Sequence, residues 1–344
     1  MNPILNAEPL SFPWATVDPF LFCVLHDDRY PKSNGRYGPA ASLADHRIGQ
    51  DFVNADGWRM YHGTTVPGFP AHPHRGFETV TFVQRGLIDH SDSLGAAARY
   101  GPGDVQWLTA GSGVVHAEMF PLLDTEAPNP LKFFQIWLNL PARSKFATPR
   151  FSMFWAEDIP RHSVTSPSGA RTEVICVAGQ LVAGLNIEPL VPPPDSWAAA
   201  SDSDLAVWTV KMEPGALWTL PPARGLGTRR HLYFYAGDQA SVANQPLKGQ
   251  VVVELDATQP VALKNTGVRS AEFLMLQGRP IGEPLVQAGP FVMNTESEVQ
   301  QAFADFQRTK FGDWPWPDRA PVHGADPTRF ARYADGSEQR RSAR

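Results

Sequence analysis

Two stretches decide the fold of this chain: GFPAHPHRGFETVTFV at residues 68–83 and GPGDVQWLTAGSGVVHAEM at residues 101–119. Both are rich in β-branched and aromatic residues, and glycine-containing turns divide them into short strands. Similar strand candidates recur in the second half at a spacing of about ten residues, from RTEVICVAG to AEFLMLQG. This rhythm predicts an all-β protein built from barrels.

The length and the prolines predict how the chain is divided. Its 344 residues exceed one typical domain, and 33 prolines and 28 glycines are typical of turn-rich β-structure. Proline lacks a ladder donor, so the proline-interrupted residues 141–160 cannot continue a central strand. We predict one barrel over residues 1–150, a second over residues 151–312, and a Pro-rich, irregular tail over residues 313–344. Two tryptophans suggest that part of this tail is docked, Trp314 and Trp316.

One helix is predicted near the C-terminal end. Residues Thr295 and Glu298 have the spacing of a capping box, and apolar residues recur at helical spacing after it. We expect a helix from Thr295 to Lys310 that packs its phenylalanine face on a barrel.

Charge and hydrophobic pattern exclude several classes of protein. The net charge of −5 offers no basic surface for a phosphate backbone, so we expect no direct nucleic-acid binding. No stretch reaches the roughly 18 apolar residues of a membrane span, and we find no signal-peptide pattern, so we expect a cytoplasmic protein without a membrane partner. Cys23 and Cys176 lie in apolar runs, which is typical of buried free thiols.

The residues that point to chemistry are His72, His74, His116 and Glu118. Each pair is spaced by two residues, and in a strand residues i and i+2 face the same side. If the two strands are neighbours, three imidazoles and one carboxylate converge, a set that suits Fe(II), Ni(II), Mn(II) or Zn(II). The alternative is a purely structural pair of histidines, and His90-x-Asp92 shows that such spacing also arises without a metal.

The quoted stretches, together with DSLG at residues 92–95, QIWLNLPA at residues 135–142 and GRPIGEPLVQAGPFVMNT at residues 278–295, closely resemble the signature of the pirin family. The resemblance implies a bicupin: two double-stranded β-helix (cupin) barrels, with one metal in the first barrel on His72, His74, His116 and Glu118. Pirins are described as iron-binding transcription cofactors in animals, and several members are linked to quercetin 2,3-dioxygenase activity.

The resemblance also limits the ligand set. Cupins in general take a glutamate shortly after the His-x-His pair as a ligand, whereas pirins take it from the second motif, so we expect Glu78 to lie outside the set. For Arg75 the alternatives are that it orients a ligand or pairs with Glu78, and we expect an ordinary salt bridge. Gln135 either faces the pocket or points away from it. His231 has no His-x-His partner, so we expect no metal in the second barrel.

We therefore expect a dioxygenase that uses Fe(II) and O₂ to cleave a flavonol-like aromatic substrate, with Glu118 as the catalytic proton acceptor. The alternative is a non-catalytic iron-binding regulatory or redox-sensing protein that acts on a protein partner. Two segments depart from a compact pirin: residues 27–61 are long and polar, and the tail extends past Gly312. We expect both to affect the entrance of the site or oligomerisation.

Overall fold

The computed structural model describes residues 2–54, 56–182 and 186–344. The strands that precede residue 157 are β1 (Ile4–Pro9), β2 (Phe20–Tyr30), β3 (Gly68–His74), β4 (Phe77–Arg85), β5 (Ile88–Asp92), β6 (Ala97–Tyr100), β7 (Val105–Thr109), β8 (Val114–Met119), β9 (Asn129–Asn139) and β10 (Arg150–Phe154). A short 3₁₀ turn, Ala142–Ser144, precedes β10.

The strands of the second half are β11 (Arg161–Thr165), β12 (Arg171–Ala178), β13 (Leu181–Val182), β14 (Asn186–Ile187), β15 (Ala206–Met212), β16 (Leu217–Leu220), β17 (Arg229–Ala236), β18 (Ala240–Val242), β19 (Gln245–Pro246), β20 (Val251–Leu255), β21 (Val261–Asn265), β22 (Ala271–Gly278), β23 (Val286–Ala288) and β24 (Phe291–Met293). A 3₁₀ turn, Trp197–Ala199, precedes β15. Then follow α1 (Glu296–Thr309), β25 (Arg329–Arg332) and β26 (Glu338–Arg341). The prediction of a mostly β chain with a helix near its C-terminal end is confirmed.

Contacts between residues divide the chain into two units. The N-unit comprises Leu25–Ile136, Ala142–Ala156 and Glu283–Arg344, and the C-unit comprises Met1–Val24, Trp137–Pro141 and Glu157–Gly282. Each unit is discontinuous, whereas the predicted domains were continuous over residues 1–150 and 151–312. Strand pairing accounts for the difference, because β1 pairs with β20 in the C-unit and the tail strand β25 pairs with β6 in the N-unit.

The N-unit is built from two sheets with orders β10-β7-β4-β9-β2 and β26-β25-β6-β5-β8-β3. Its apolar core includes Tyr30, Trp58, Tyr100, Phe133 and Trp155. The proline-flanked strand β10 lies at a sheet edge, where a missing donor is tolerated.

The C-unit has a sheet of order β1-β20-β17-β22-β15-β12-β11 and a smaller sheet of order β16-β21-β18-β19. Its core is aliphatic and aromatic, with Trp208, Trp218 and Phe273 among the buried residues. Both predicted thiols, Cys23 and Cys176, are free and buried, and Cys176 lies in this core.

Helix α1 begins where the capping box predicts. The Thr295 hydroxyl accepts a hydrogen bond from the Glu298 amide at 3.2 Å, and the Glu298 carboxylate accepts one from the Thr295 amide at 2.9 Å. Phe303 and Phe306 lie against Phe291 of β24, with ring centroids 4.8 and 6.2 Å away. In the described part of the chain, no helix is both long and apolar enough to cross a membrane.

The expectation of an irregular tail is wrong for β25 and β26. These strands extend the sheet beyond β6, whose edge would otherwise leave main-chain donors and acceptors unpaired. Arg329 of β25 forms a buried ion pair with Asp104, with Nη1 and Oδ1 2.6 Å apart. The tail is therefore part of the core structure of the N-unit.

The buried ion pair leads to a stability prediction. Arg329→Leu leaves the Asp104 carboxylate buried without its cation, which should destabilise the protein by about 3–5 kcal/mol. Arg332→Leu, on the same strand, removes a half-exposed pair with Glu338 and should lower stability far less. Urea denaturation of both variants tests this difference, and equal midpoints would contradict it.

Candidate metal centre

Strands β3 and β8 bring the predicted histidines together. The strands pair antiparallel, with His72 directly opposite His116, and a bulge separates this register from the Phe69–Glu118 pair. The side-chain nitrogens of His72, His74 and His116 that could bind a metal all lie within 4.8 Å of one another. Three of the four predicted residues therefore form one compact group on neighbouring strands.

The environment of His116 fits a bound cation. Its ring is fully buried, and neither of its nitrogens has a hydrogen-bond partner among the described residues. A buried polar group left unsatisfied costs about 1–3 kcal/mol. The nearest charged neighbour is Glu118, whose Oε2 lies 3.9 Å from His116 Nε2. A metal ion on one of these nitrogens would reduce the penalty, so the residues present fit a metal.

The three imidazoles are held in the form that binds metals. Burial is the main cause that lowers the pKa of His72 to about 4, and it holds the pKa of His74 and His116 well below the usual value. Each ring is therefore neutral near pH 7 and keeps a nitrogen lone pair. The Pro70 carbonyl lies 3.0 Å from His72 Nδ1, which leaves Nε2 of that ring for a ligand.

Glu118 lies beside the histidines within a set of polar side chains. Its Oε1 accepts hydrogen bonds from the Thr81 hydroxyl at 3.1 Å and from the Tyr100 hydroxyl at 3.5 Å, and its Oε2 accepts one from Gln135 Nε2 at 3.2 Å. Burial raises the pKa of this carboxyl. The carboxylate is thus oriented, close to His116, and more basic than an exposed glutamate.

Two of these partners were not predicted from the sequence. Thr81 on β4 and Tyr100 on β6 are ordinary strand residues without a motif, so only the closure of the two sheets brings them to Glu118. Gln135 on β9 does face the site, which decides the alternative that the sequence left open.

Arg75 does not pair with Glu78. Its Nη1 forms an ion pair with Asp305 of α1 at 2.9 Å, and its Nε donates to the Ser112 carbonyl at 2.7 Å. Glu78 is buried and instead accepts a hydrogen bond from the Thr109 hydroxyl at 2.7 Å. The expected salt bridge of Arg75 therefore exists, but with a residue that the sequence did not indicate.

The remaining histidines that the sequence singled out are not members of this group, although the His90 ring lies 5.6 Å from the His116 ring. His90 is buried, with Nε2 3.0 Å from Asp92 and Nδ1 2.9 Å from Gln106, so both of its nitrogens have protein partners. His231 is buried in the C-unit, where its ring contacts Tyr233. Neither belongs to the compact group of three.

Comparison with known protein families and relatives agrees with this geometry. The Pirin family model matches residues 15–138, and the Pirin C-terminal cupin domain model matches residues 207–312. A Pseudomonas aeruginosa protein provisionally named quercetin 2,3-dioxygenase is 34% identical over 244 residues, which cover 71% of this chain and 79% of that protein. Human Pirin is 32% identical over 256 residues, covering 73% of this chain and 80% of that protein.

A solved structure supports the fold. The crystal structure of quercetin 2,3-dioxygenase from Acinetobacter baumannii has a TM-score of 0.68 and 27% identity, and the match covers 91% of this chain and 99% of that one. The prediction of two cupin-type domains is therefore confirmed.

The burial of His72 leads to a pH prediction for the metal-free protein. In the folded state its ring should take up a proton only near pH 4, whereas in the unfolded chain it should do so near pH 6.5. The unfolded state binds more protons between these values, so this residue makes stability fall as the pH drops through that window. The His72 ring signal in an NMR titration, assigned with His72→Gln, tests this expectation, and a folded-state midpoint near 6.5 would contradict it.

Proposed function

Because this chain belongs to the pirin family, we propose that it is a metal-dependent dioxygenase of the quercetin 2,3-dioxygenase type that cleaves a flavonol-like substrate. The resemblance seen in the sequence is thereby confirmed at the level of the family, and the activity is our proposal. The observation that carries it is the buried group of three neutral histidines in which His116 has no hydrogen-bond partner among the described residues. The alternative, an iron-binding regulatory or redox-sensing protein, would use the same histidines, so turnover is what separates the two functions.

We assign Fe(II) to the site, held by His72, His74, His116 and Glu118. Three nitrogens and one carboxylate oxygen would suit a divalent transition metal such as Fe(II). When bound, Fe(II) supplies Lewis-acid and electron-transfer chemistry toward an enolisable substrate and O₂.

Glu118 is the group that handles the substrate proton. Burial raises the pKa of this carboxyl in the metal-free protein, and the carboxylate lies beside the histidines, where it can accept the hydroxyl proton of an enolisable substrate. Gln135 holds the Oε2 atom that lies on the side of His116, while Thr81 holds Oε1. These hydrogen bonds keep the acceptor oxygen aimed at the histidines before the substrate arrives.

Aromatic residues limit the access of water to the histidines. The Phe77 ring lies 5.0 Å from the His74 ring, and the Phe69 ring lies 6.2 Å from the His72 ring. Phe120 packs behind Phe69, with centroids 6.0 Å apart. An apolar wall of this kind strengthens charge interactions in the site and protects reactive species from hydrolysis.

Metal binding should depend on individual histidines. His74→Ala removes one ligand from a group already arranged around a cation, so iron affinity should fall by at least about tenfold. His231→Ala removes a histidine of the C-unit that is buried but belongs to no ligand group, and it should leave iron content unchanged. Iron content after dialysis, with circular dichroism as a check of folding, tests both variants. Full iron occupancy in His74→Ala would show that the site lies elsewhere.

Turnover should depend on the Glu118 carboxylate. At saturating iron, Glu118→Gln keeps the shape but removes the proton acceptor, so kcat for quercetin should fall by about 10²–10⁴-fold. Glu78→Gln changes another buried carboxylate of the N-unit and should leave kcat close to that of the unmodified protein. Oxygen consumption with quercetin measures both.

The same assays separate the alternative function. One outcome would favour a non-catalytic iron-binding regulator that acts on a protein partner. In that outcome His74→Ala weakens iron binding, but the unmodified iron-loaded protein consumes no oxygen.

A further inference from the structure

The C-terminal tail supplies a residue to the rim of the candidate metal centre. The Ala71 amide, next to His72 in the chain, donates to the Arg319 carbonyl at 2.7 Å, and Arg319 Nη2 donates to the Ala71 carbonyl. Three residues earlier in the tail, Trp316 Nε1 donates to the Asp92 carbonyl at 2.9 Å. Because main-chain and side-chain bonds both hold it, Arg319 is anchored to strand β3 beside a candidate ligand.

Arg319 is a cation with no counter-ion in the part of the chain that the structure describes. Its side chain is exposed, and its bond to Ala71 is its sole side-chain hydrogen bond within the described ranges, where it also has no carboxylate partner. A guanidinium has five N–H donors, so most of them are available to a ligand. Its positive charge is among the causes that lower the pKa of His72, after burial, which agrees with its position near that ring.

Aromatic rings also lie close to His72. Phe69 of β3 is 6.2 Å from the His72 ring, and Phe52, from the long polar segment at residues 27–61, is 6.5 Å from Phe69. Phe52 also contacts the His62 ring at 5.1 Å, yet 44% of it remains exposed. We call Phe52 and Phe69 the aromatic shelf. An exposed phenylalanine held by other rings offers a surface for a flat apolar ligand.

We propose that Arg319 and the aromatic shelf form a binding subsite for a planar aromatic anion next to the metal centre. The anionic oxygen, a carboxylate or phenolate, pairs with the guanidinium, and the ring packs on the shelf. The inference rests on the proposed function and deepens it, because it assigns a substrate class to the same site. It also gives a role to the two segments that depart from a compact pirin, because residues 27–61 supply Phe52 and the C-terminal tail supplies Arg319.

Equilibrium binding tests the subsite without any turnover. The probes are 2-naphthoate and its neutral analogue 2-naphthamide, titrated into the iron-loaded full-length protein without O₂ and followed by calorimetry. The unmodified protein should bind the anion about tenfold more tightly than the amide, as one charge-assisted pair implies. Arg319→Gln should abolish this preference, and Arg319→Lys should retain part of it. Phe52→Ala should weaken both probes by a similar factor.

Control measurements separate charge recognition from other effects. Arg47→Gln removes another exposed arginine, from the same segment as Phe52, and should leave the preference unchanged. Iron content of Arg319→Gln should equal that of the unmodified protein. If the preference for naphthoate persists in Arg319→Gln, the carboxylate binds elsewhere, for instance on the metal, and the subsite is overturned.

Turnover distinguishes failure of this inference from failure of the proposed function. Where quercetin is cleaved, Arg319→Gln should raise KM with little change in kcat, because the residue contacts the substrate away from the reacting atoms. If quercetin is not turned over but the preference for naphthoate depends on Arg319, the proposed activity is overturned and the subsite stands. If the KM of Arg319→Gln equals that of the unmodified protein, and the unmodified protein binds both probes equally, the subsite alone is overturned.

Discussion

The antiparallel pairing of β3 with β8 is the constraint on which the rest of the site depends. It places His72 opposite His116, and strand alternation then puts His74 and Glu118 within the same neighbourhood. A slip of one residue would turn one pair of side chains to the opposite face of the sheet. Strand β5, which pairs with β8, and the second sheet of the N-unit leave little freedom for such a slip, because their own apolar residues fill the core.

Burial gives the site its electrostatic character. Removing imidazoles from water disfavours their charged form, and removing a carboxylate from water disfavours its ionised form. The same cause therefore produces neutral histidines and a basic Glu118. Burial also has a cost, since His116 has no hydrogen-bond partner among the described residues. A divalent ion would satisfy the histidine nitrogens and stabilise the carboxylate together.

The long segment at residues 27–61 and the tail both belong to the N-unit. Tyr61 has a φ of 56°, and its hydroxyl donates to Asp28 at 2.7 Å and accepts from Arg59 at 2.9 Å. The strain of a non-glycine residue in this region is sustained where surrounding contacts compensate for it. In the tail, a buried ion pair between Arg329 and Asp104 holds strand β25 in place. Segments that look like surface additions in the sequence are thus held by buried polar contacts, which explains why they can present residues at fixed positions.

The sequence by itself determined what depends on local rules. Residue alternation predicts the strands, the capping box predicts where α1 begins, and two pairs of residues spaced by two predict the candidate ligands. Only the tertiary structure decided which distant residues meet. Arg75 pairs with Asp305, 230 positions away, and Arg319 joins Ala71, although nothing in the local sequence marks either pair. The reason is that backbone geometry repeats over a few residues, whereas contacts between remote segments follow from how the closed sheets are packed.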